Sequence, residues 1–173
     1  HLLSEVSPSD PYPEMDPIRV PVQAVGDEGG ASTGGEALSI QGDAQTIVDV
    51  MVVYTPAATM LYGGKDGIES LITLAVEETN QAYMNSQIDA QLHLVHSAEV
   101  AYTEAGSMST DLGNLAGKTD GFMDEVHSLR DTYGADLVSL FQATGGFCGL
   151  AYQIGVLNSV YEAYGFSVIY TEC

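Results

Sequence analysis

The chain has 173 residues, 45% of them hydrophobic, which suits one domain with a real core. Against 24 Asp and Glu stand only Arg19, Lys65, Lys118 and Arg130, a formal net charge of −20. Four cations cannot form the basic stripe that nucleic acid or an anionic membrane surface requires, and no apolar run approaches the ~18 residues that span a bilayer. The acidity itself reads most simply as a self-repelling, solubilising skin.

No initiator Met, basic n-region or apolar h-region opens the sequence, so His1 is expected to be a processed end of an exported chain. Residues 1–45 are expected to form an arm, propeptide remnant or linker. Five of the six prolines (Pro8, Pro11, Pro13, Pro17 and Pro21) fall here, and a Gly-, Ser- and acid-rich stretch follows from Gly26 to Glu36. Ile18, Val20, Val22 and Val25 are the candidate anchors. Pro17 and Pro21 would confine any strand there to a sheet edge, because proline has no N–H to give a ladder.

From Thr46 the texture changes. Ile47 to Tyr54 is a near-continuous apolar, β-branched run, as expected of a strand covered on both faces, and Thr55-Pro56 ends it. Asp66 with Glu69 three residues on predicts a helix start of the capping-box kind. Ile68, Leu71, Ile72, Ala75, Val76, Thr79, Ala82 and Tyr83 then recur at helical spacing. Leu92, Leu94, His96 and Ala98 alternate with His93, Val95, Ser97 and Glu99 in a second strand. Residues 106–119 predict at most a short helix around Leu112 and Leu115. A second main helix is expected from Phe122 to Tyr133, stopped by Gly134. Asp136–Phe141 reads as a third strand, with shorter ones at Leu150–Ile154 and Phe166–Tyr170. Strands alternating with helices predict an α/β fold with a mainly parallel twisted sheet and two main helices.

Two cysteines, Cys148 and Cys173, favour one disulfide in an exported chain over a nucleophilic thiol, for which spacing supplies no histidine partner. The histidines are His1, His93, His96 and His127. His93 and His96, three apart on a strand, are expected on opposite faces, unable to share an ion without a bulge. His127 is expected at the surface. Asp120 and Asp124 lack the alternating spacing of a calcium loop and read as a cap and a first-turn acid. No G-x-S-x-G elbow, P-loop or dinucleotide fingerprint occurs.

Several blocks resemble, in order, the reprolysin-like (M12-type) metzincin zinc metallopeptidases. They are Val48–Ala58, Ala75–Tyr83, Leu92–His96, Leu129–Val138, Cys148–Tyr152 and Phe166–Ile169. The resemblance covers about residues 46–173 and implies the upper subdomain of that fold, including an antiparallel edge strand above the cleft. In the family that edge aligns extended peptide by strand addition, which implies Gly149, Leu150, Ala151 and Tyr152 as substrate-binding positions. An ordinary sheet edge, flat because Gly149 and Ala151 are small, is the competing reading.

The resemblance also implies what this stretch lacks. The family's zinc helix carries H-E-x-x-H-x-x-G-x-x-H: two imidazoles one helical turn apart, a third brought in by the glycine turn, and a glutamate that activates the zinc-bound water. No H-E pair occurs between His1 and Cys173. The expectation is therefore a secreted fragment, truncated before the zinc-binding helix. Alone it has no catalytic residue, no metal ligand set and no cofactor; zinc belongs to the full-length parent. Its partners would be the missing C-terminal catalytic segment and, in the parent, peptide. The alternative is a non-catalytic assembly subunit that self-associates through its arm and an exposed sheet edge.

Overall fold

The structure is a computed structural model that describes residues 18–19, 45–153 and 159–173. Its sheet has six strands: β1 (Ile18–Arg19), β2 (Thr46–Tyr54), β3 (Ala90–Glu99), β4 (Leu137–Gln142), β5 (Gly149–Gln153) and β6 (Phe166–Tyr170), in the order β1-β5-β6-β4-β2-β3. All neighbours are parallel except β5 and β6, so the expected mainly parallel α/β sheet with an antiparallel strand near one edge is what forms.

β2 lies inside the sheet, and Val50 to Tyr54 are all buried. Side chains alternate between two cores. Met51 and Val53 face one with Leu112, Leu115, Val126, Leu140 and Val168. Val50, Val52 and Tyr54 face the other with Ala58, Ile68, Ile72 and Phe141. An unbroken apolar run is the sequence consequence of serving both.

Thr55-Pro56 ends β2 and also starts α1 (Pro56–Leu61), a helix the sequence reading missed. Thr55 Oγ1 accepts the Ala58 N–H at 3.0 Å, and proline at the first helical position gives up no needed donor. α2 (Lys65–Asn85) starts one residue before the expected cap. Gly64, with φ +121°, is the N-cap, and Asp66 is instead a first-turn acid favoured by the dipole. Ile68 and Ile72 are buried along its apolar stripe, as expected.

α3 (Met108–Ala116) is a full nine residues, anchored by Met108, Leu112 and Leu115. α4 (Glu125–Tyr133) is shorter than expected: Phe122 lies outside it and is largely exposed, while Val126 packs into the core. Gly134 ends α4 with φ +65°, a left-handed stop that glycine takes without strain. Asp124 makes no side-chain cap to α4; its carboxylate accepts from the Gly121 N–H at 3.3 Å. A 3-10 helix (Ser159–Tyr164) leads into β6.

Candidate functional site

β5 is positioned from both ends. At its start, Cys148 is disulfide-bonded to Cys173 just beyond β6, with the Cα atoms 5.2 Å apart. Before that, Glu104 holds the segment leaving β4. Its carboxylate accepts from the Ala143 N–H at 2.7 Å, from the Thr144 N–H at 2.9 Å and from Thr144 Oγ1 at 2.6 Å. The same group accepts from Thr55 Oγ1 at 2.6 Å, tying the end of β2 to the path into β5. Nothing in the local sequence singles out Glu104 among 24 acids.

Along β5 the four expected positions divide. Leu150 is buried at 7% exposure, in the core on the α3 side. Tyr152, on the same face by alternation, is half-buried, with its ring 5.2 Å from that of Tyr164. Gly149 and Ala151 are exposed. The Leu150 side chain is therefore turned into the core, and only Gly149 and Ala151 of the four are exposed along the strand. The Tyr152 hydroxyl is pushed above the usual tyrosine range, by burial first and by Tyr164 second. A Cβ at Gly149 would lie 3.1 Å from Ile169 Cδ1, a tight contact that the Ile169 side chain would have to ease.

The edge is not bare. β1 pairs with β5 in parallel, Ile18 opposite Tyr152 and Arg19 opposite Gln153. Of the four candidate anchors in the arm, Ile18 is thus placed on the sheet edge; Val20, Val22 and Val25 lie outside the described residues. At the opposite edge Asn80 satisfies the β3 backbone. Its Oδ1 accepts the Leu92 N–H at 2.7 Å and its Nδ2 donates to the Leu92 carbonyl at 2.9 Å.

The histidines fall differently from the alternation expected of a regular strand. The β2–β3 register slips between Val50 and Met51, so Val95 is an extra residue. His93 Nδ1 lies 2.8 Å from Asp49 Oδ1, on the face shared by Met51, and His96 stacks on Tyr133 of α4 with ring centroids 3.8 Å apart. Both therefore lie on the α4 side rather than on opposite faces. His127 is half-buried, with Nε2 2.8 Å from the Gly117 carbonyl and its ring 5.1 Å from that of Phe166, so it is only partly at the surface. Among the described residues no three His, Cys, Asp or Glu are placed to hold a metal ion. The side chains described do not fit zinc. No helix among those residues is long and apolar enough to cross a membrane.

Arg130 is a second residue with an unforeseen part. Its guanidinium donates to the carbonyls of Ala135 at 3.1 Å, Glu162 at 2.9 Å and Asp136 at 2.6 Å, and it lies 5.1 Å from the Phe166 ring centroid. It joins the end of α4 to the start of β6.

The model of the M12B reprolysin-like metallopeptidase family matches residues 44–169. This chain belongs to that family. Among curated members, a peptidyl-Asp metalloendopeptidase of Stenotrophomonas maltophilia strain K279a is 39% identical over 126 residues, 73% of this chain and 29% of its own length. Its counterpart in Xanthomonas campestris is 38% identical over the same shares, and that of Pseudomonas aeruginosa 37% over 68% of this chain and 20% of its own. The chain thus spans less than a third of these relatives. A solved structure described as a chaperone-substrate complex superposes with a TM-score of 0.60 over 73% of this chain and 23% of that one; at 18% identity it shows the shared fold alone. Family membership makes this a metallopeptidase-type sheet, in which β5 is the strand that runs antiparallel to its neighbour β6.

Proposed function

We propose that this chain is the upper, substrate-aligning part of a secreted zinc-dependent metalloendopeptidase, with residues 1–45 as an N-terminal arm and 46–173 as a metzincin-like α/β subdomain. The family match over residues 44–169 carries the reading. The geometry that supports it is β5, held by the disulfide and by Glu104 so that small residues and outward backbone groups face the edge. Gly149, Leu150, Ala151 and Tyr152 would align peptide: Gly149 and Ala151 through their backbone at the edge, Leu150 and Tyr152 by fixing the strand on the core. Because the relatives are named for peptidyl-Asp cleavage, Asp-containing peptides are the substrates to try first.

Hydrolysis requires a companion segment carrying H-E-x-x-H-x-x-G-x-x-H, which would bring zinc; in this reading residues 46–173, among whose described side chains no ligand set is placed, do not cleave peptide by themselves. The test is complementation. The folded 173-residue chain, mixed with a zinc-helix segment taken from a relative, is expected to bind one zinc per complex and to cleave an Asp-containing peptide. A folded mixture that does neither refutes the proposal, as does stoichiometric zinc with proteolysis by this chain alone.

The rival reading, an assembly subunit growing by strand addition, has less support. β1 lies over part of one sheet edge, and the Asn80 amide caps the backbone of the other at Leu92.

A further inference from the structure

We infer that the N-terminal arm is the resident occupant of the outer edge of β5 and competes with extended peptide for it. The inference rests on reading β5 as a peptide-aligning edge, and adds what controls access to it.

Antiparallel pairing sets which backbone groups are free. The Tyr170 N–H donates to the Cys148 carbonyl at 3.0 Å, and Leu150 lies opposite Val168. Residues 148, 150 and 152 therefore turn their N–H and C=O toward β6, and alternation turns those of Gly149, Ala151 and Gln153 outward. β1 sits on that outward side, with Ile18 opposite Tyr152. A parallel ladder at this register joins the Ile18 N–H to the Ala151 carbonyl and the Gln153 N–H to the Ile18 carbonyl. These are the same groups that an added peptide strand would use. Arm and peptide are mutually exclusive across Ala151–Gln153, whereas the outward groups of Gly149 lie beyond the two paired residues of β1.

The described part of the arm covers little of the edge. Its described ladder is two residues long, and Pro17 and Pro21, which have no N–H, bracket it in the sequence. A peptide able to pair along all of Gly149–Gln153 uses more of the edge than Ile18 and Arg19 do, and outcompetes them there.

The test uses the full chain and two proline variants. Ile18→Pro deletes the donor to Ala151. Arg19→Pro deletes an N–H that the same register turns away from β5, and is the control. Amide hydrogen exchange at Gln153 reads occupancy by the arm, with exchange at Leu150 reporting that the sheet is intact. Fluorescence anisotropy of a labelled, end-blocked hexapeptide with a central Asp reads competition. Ile18→Pro is expected to speed exchange at Gln153 at least ~10-fold and to tighten peptide binding by a similar factor, with Arg19→Pro close to the parent chain, since alternate strand residues face opposite ways. Unchanged Gln153 exchange in Ile18→Pro overturns the occupancy. Faster exchange with equal peptide affinity overturns the competition. Faster exchange with no peptide bound by any of the three chains overturns the reading of β5 as a peptide edge, and the competition with it.

Discussion

Glu104 is half-buried, and its carboxylate accepts four hydrogen bonds from Thr55, Ala143 and Thr144. Hydrogen bonds to a charged group are the stronger kind, and removing the acceptor strands two backbone N–H groups. Glu104→Ala is therefore expected to lower unfolding free energy by about 2–4 kcal/mol in a urea titration, with Glu104→Gln losing less because one carbonyl oxygen remains. A change under about 0.5 kcal/mol, the size expected of an unremarkable surface site, would show that solvent replaces the carboxylate. Asp111 is a contrasting acid. It is fully buried and accepts from the Tyr102 hydroxyl at 2.6 Å and the Ala105 N–H at 2.8 Å, while its second oxygen has no hydrogen-bond partner among the described residues. Neither role was legible locally: each acid is defined by groups brought to it from elsewhere in the fold.

Elements were legible in proportion to their apolar periodicity. The β2 run and the α2 stripe were plain because every turn or pair of residues repeats the signal. α1 was missed because six residues from Pro56 to Leu61 are too few to show a period, and Thr55-Pro56 reads equally as a strand end. The β3 bulge was invisible because His93 and His96 keep regular spacing in sequence whether or not one residue is extra in the ladder. Disulfide bonding of Cys148 to Cys173 was legible, since two cysteines in one chain have a single intramolecular pairing to make. It ties the start of β5 to the end of β6 across a sequence separation of 25. Replacing both cysteines by serine is expected to cost about 3 kcal/mol in urea unfolding on the loop-entropy estimate. The loss should be matched by the parent chain under reducing conditions; equal stability with and without reductant would mean the bond leaves the unfolded chain unconstrained.

At the scale of the molecule, alkaline pH probes the two cores together. Tyr54 faces one core and Tyr102 the other, and each hydroxyl is pushed up to about 12. Burial is the first cause for both, followed by Glu69 for Tyr54 and by the hydrogen bond to Asp111 for Tyr102. In the unfolded chain both ionise near ~10. Below that pH both are neutral in either state and the folded chain keeps their full contribution. As pH rises from about 10 to about 12 the unfolded chain loses protons first, so stability falls; above about 12 the loss levels off. Denaturant titrations across that range should show the decline, and a Tyr54→Phe, Tyr102→Phe chain should show a shallower one. An identical slope in the two chains would mean that other groups carry the alkaline transition.

Sequence alone determined the identity and order of most elements, the disulfide and the family blocks, because each is a matter of residue type and spacing along the chain. Tertiary structure alone decided that Glu104 and Arg130 are its ties, that His93 and His96 share a side, and that β1 lies on β5. All of these depend on pairing register, where a slip of one residue turns every side chain to the other face, and register is set by packing between segments far apart in sequence.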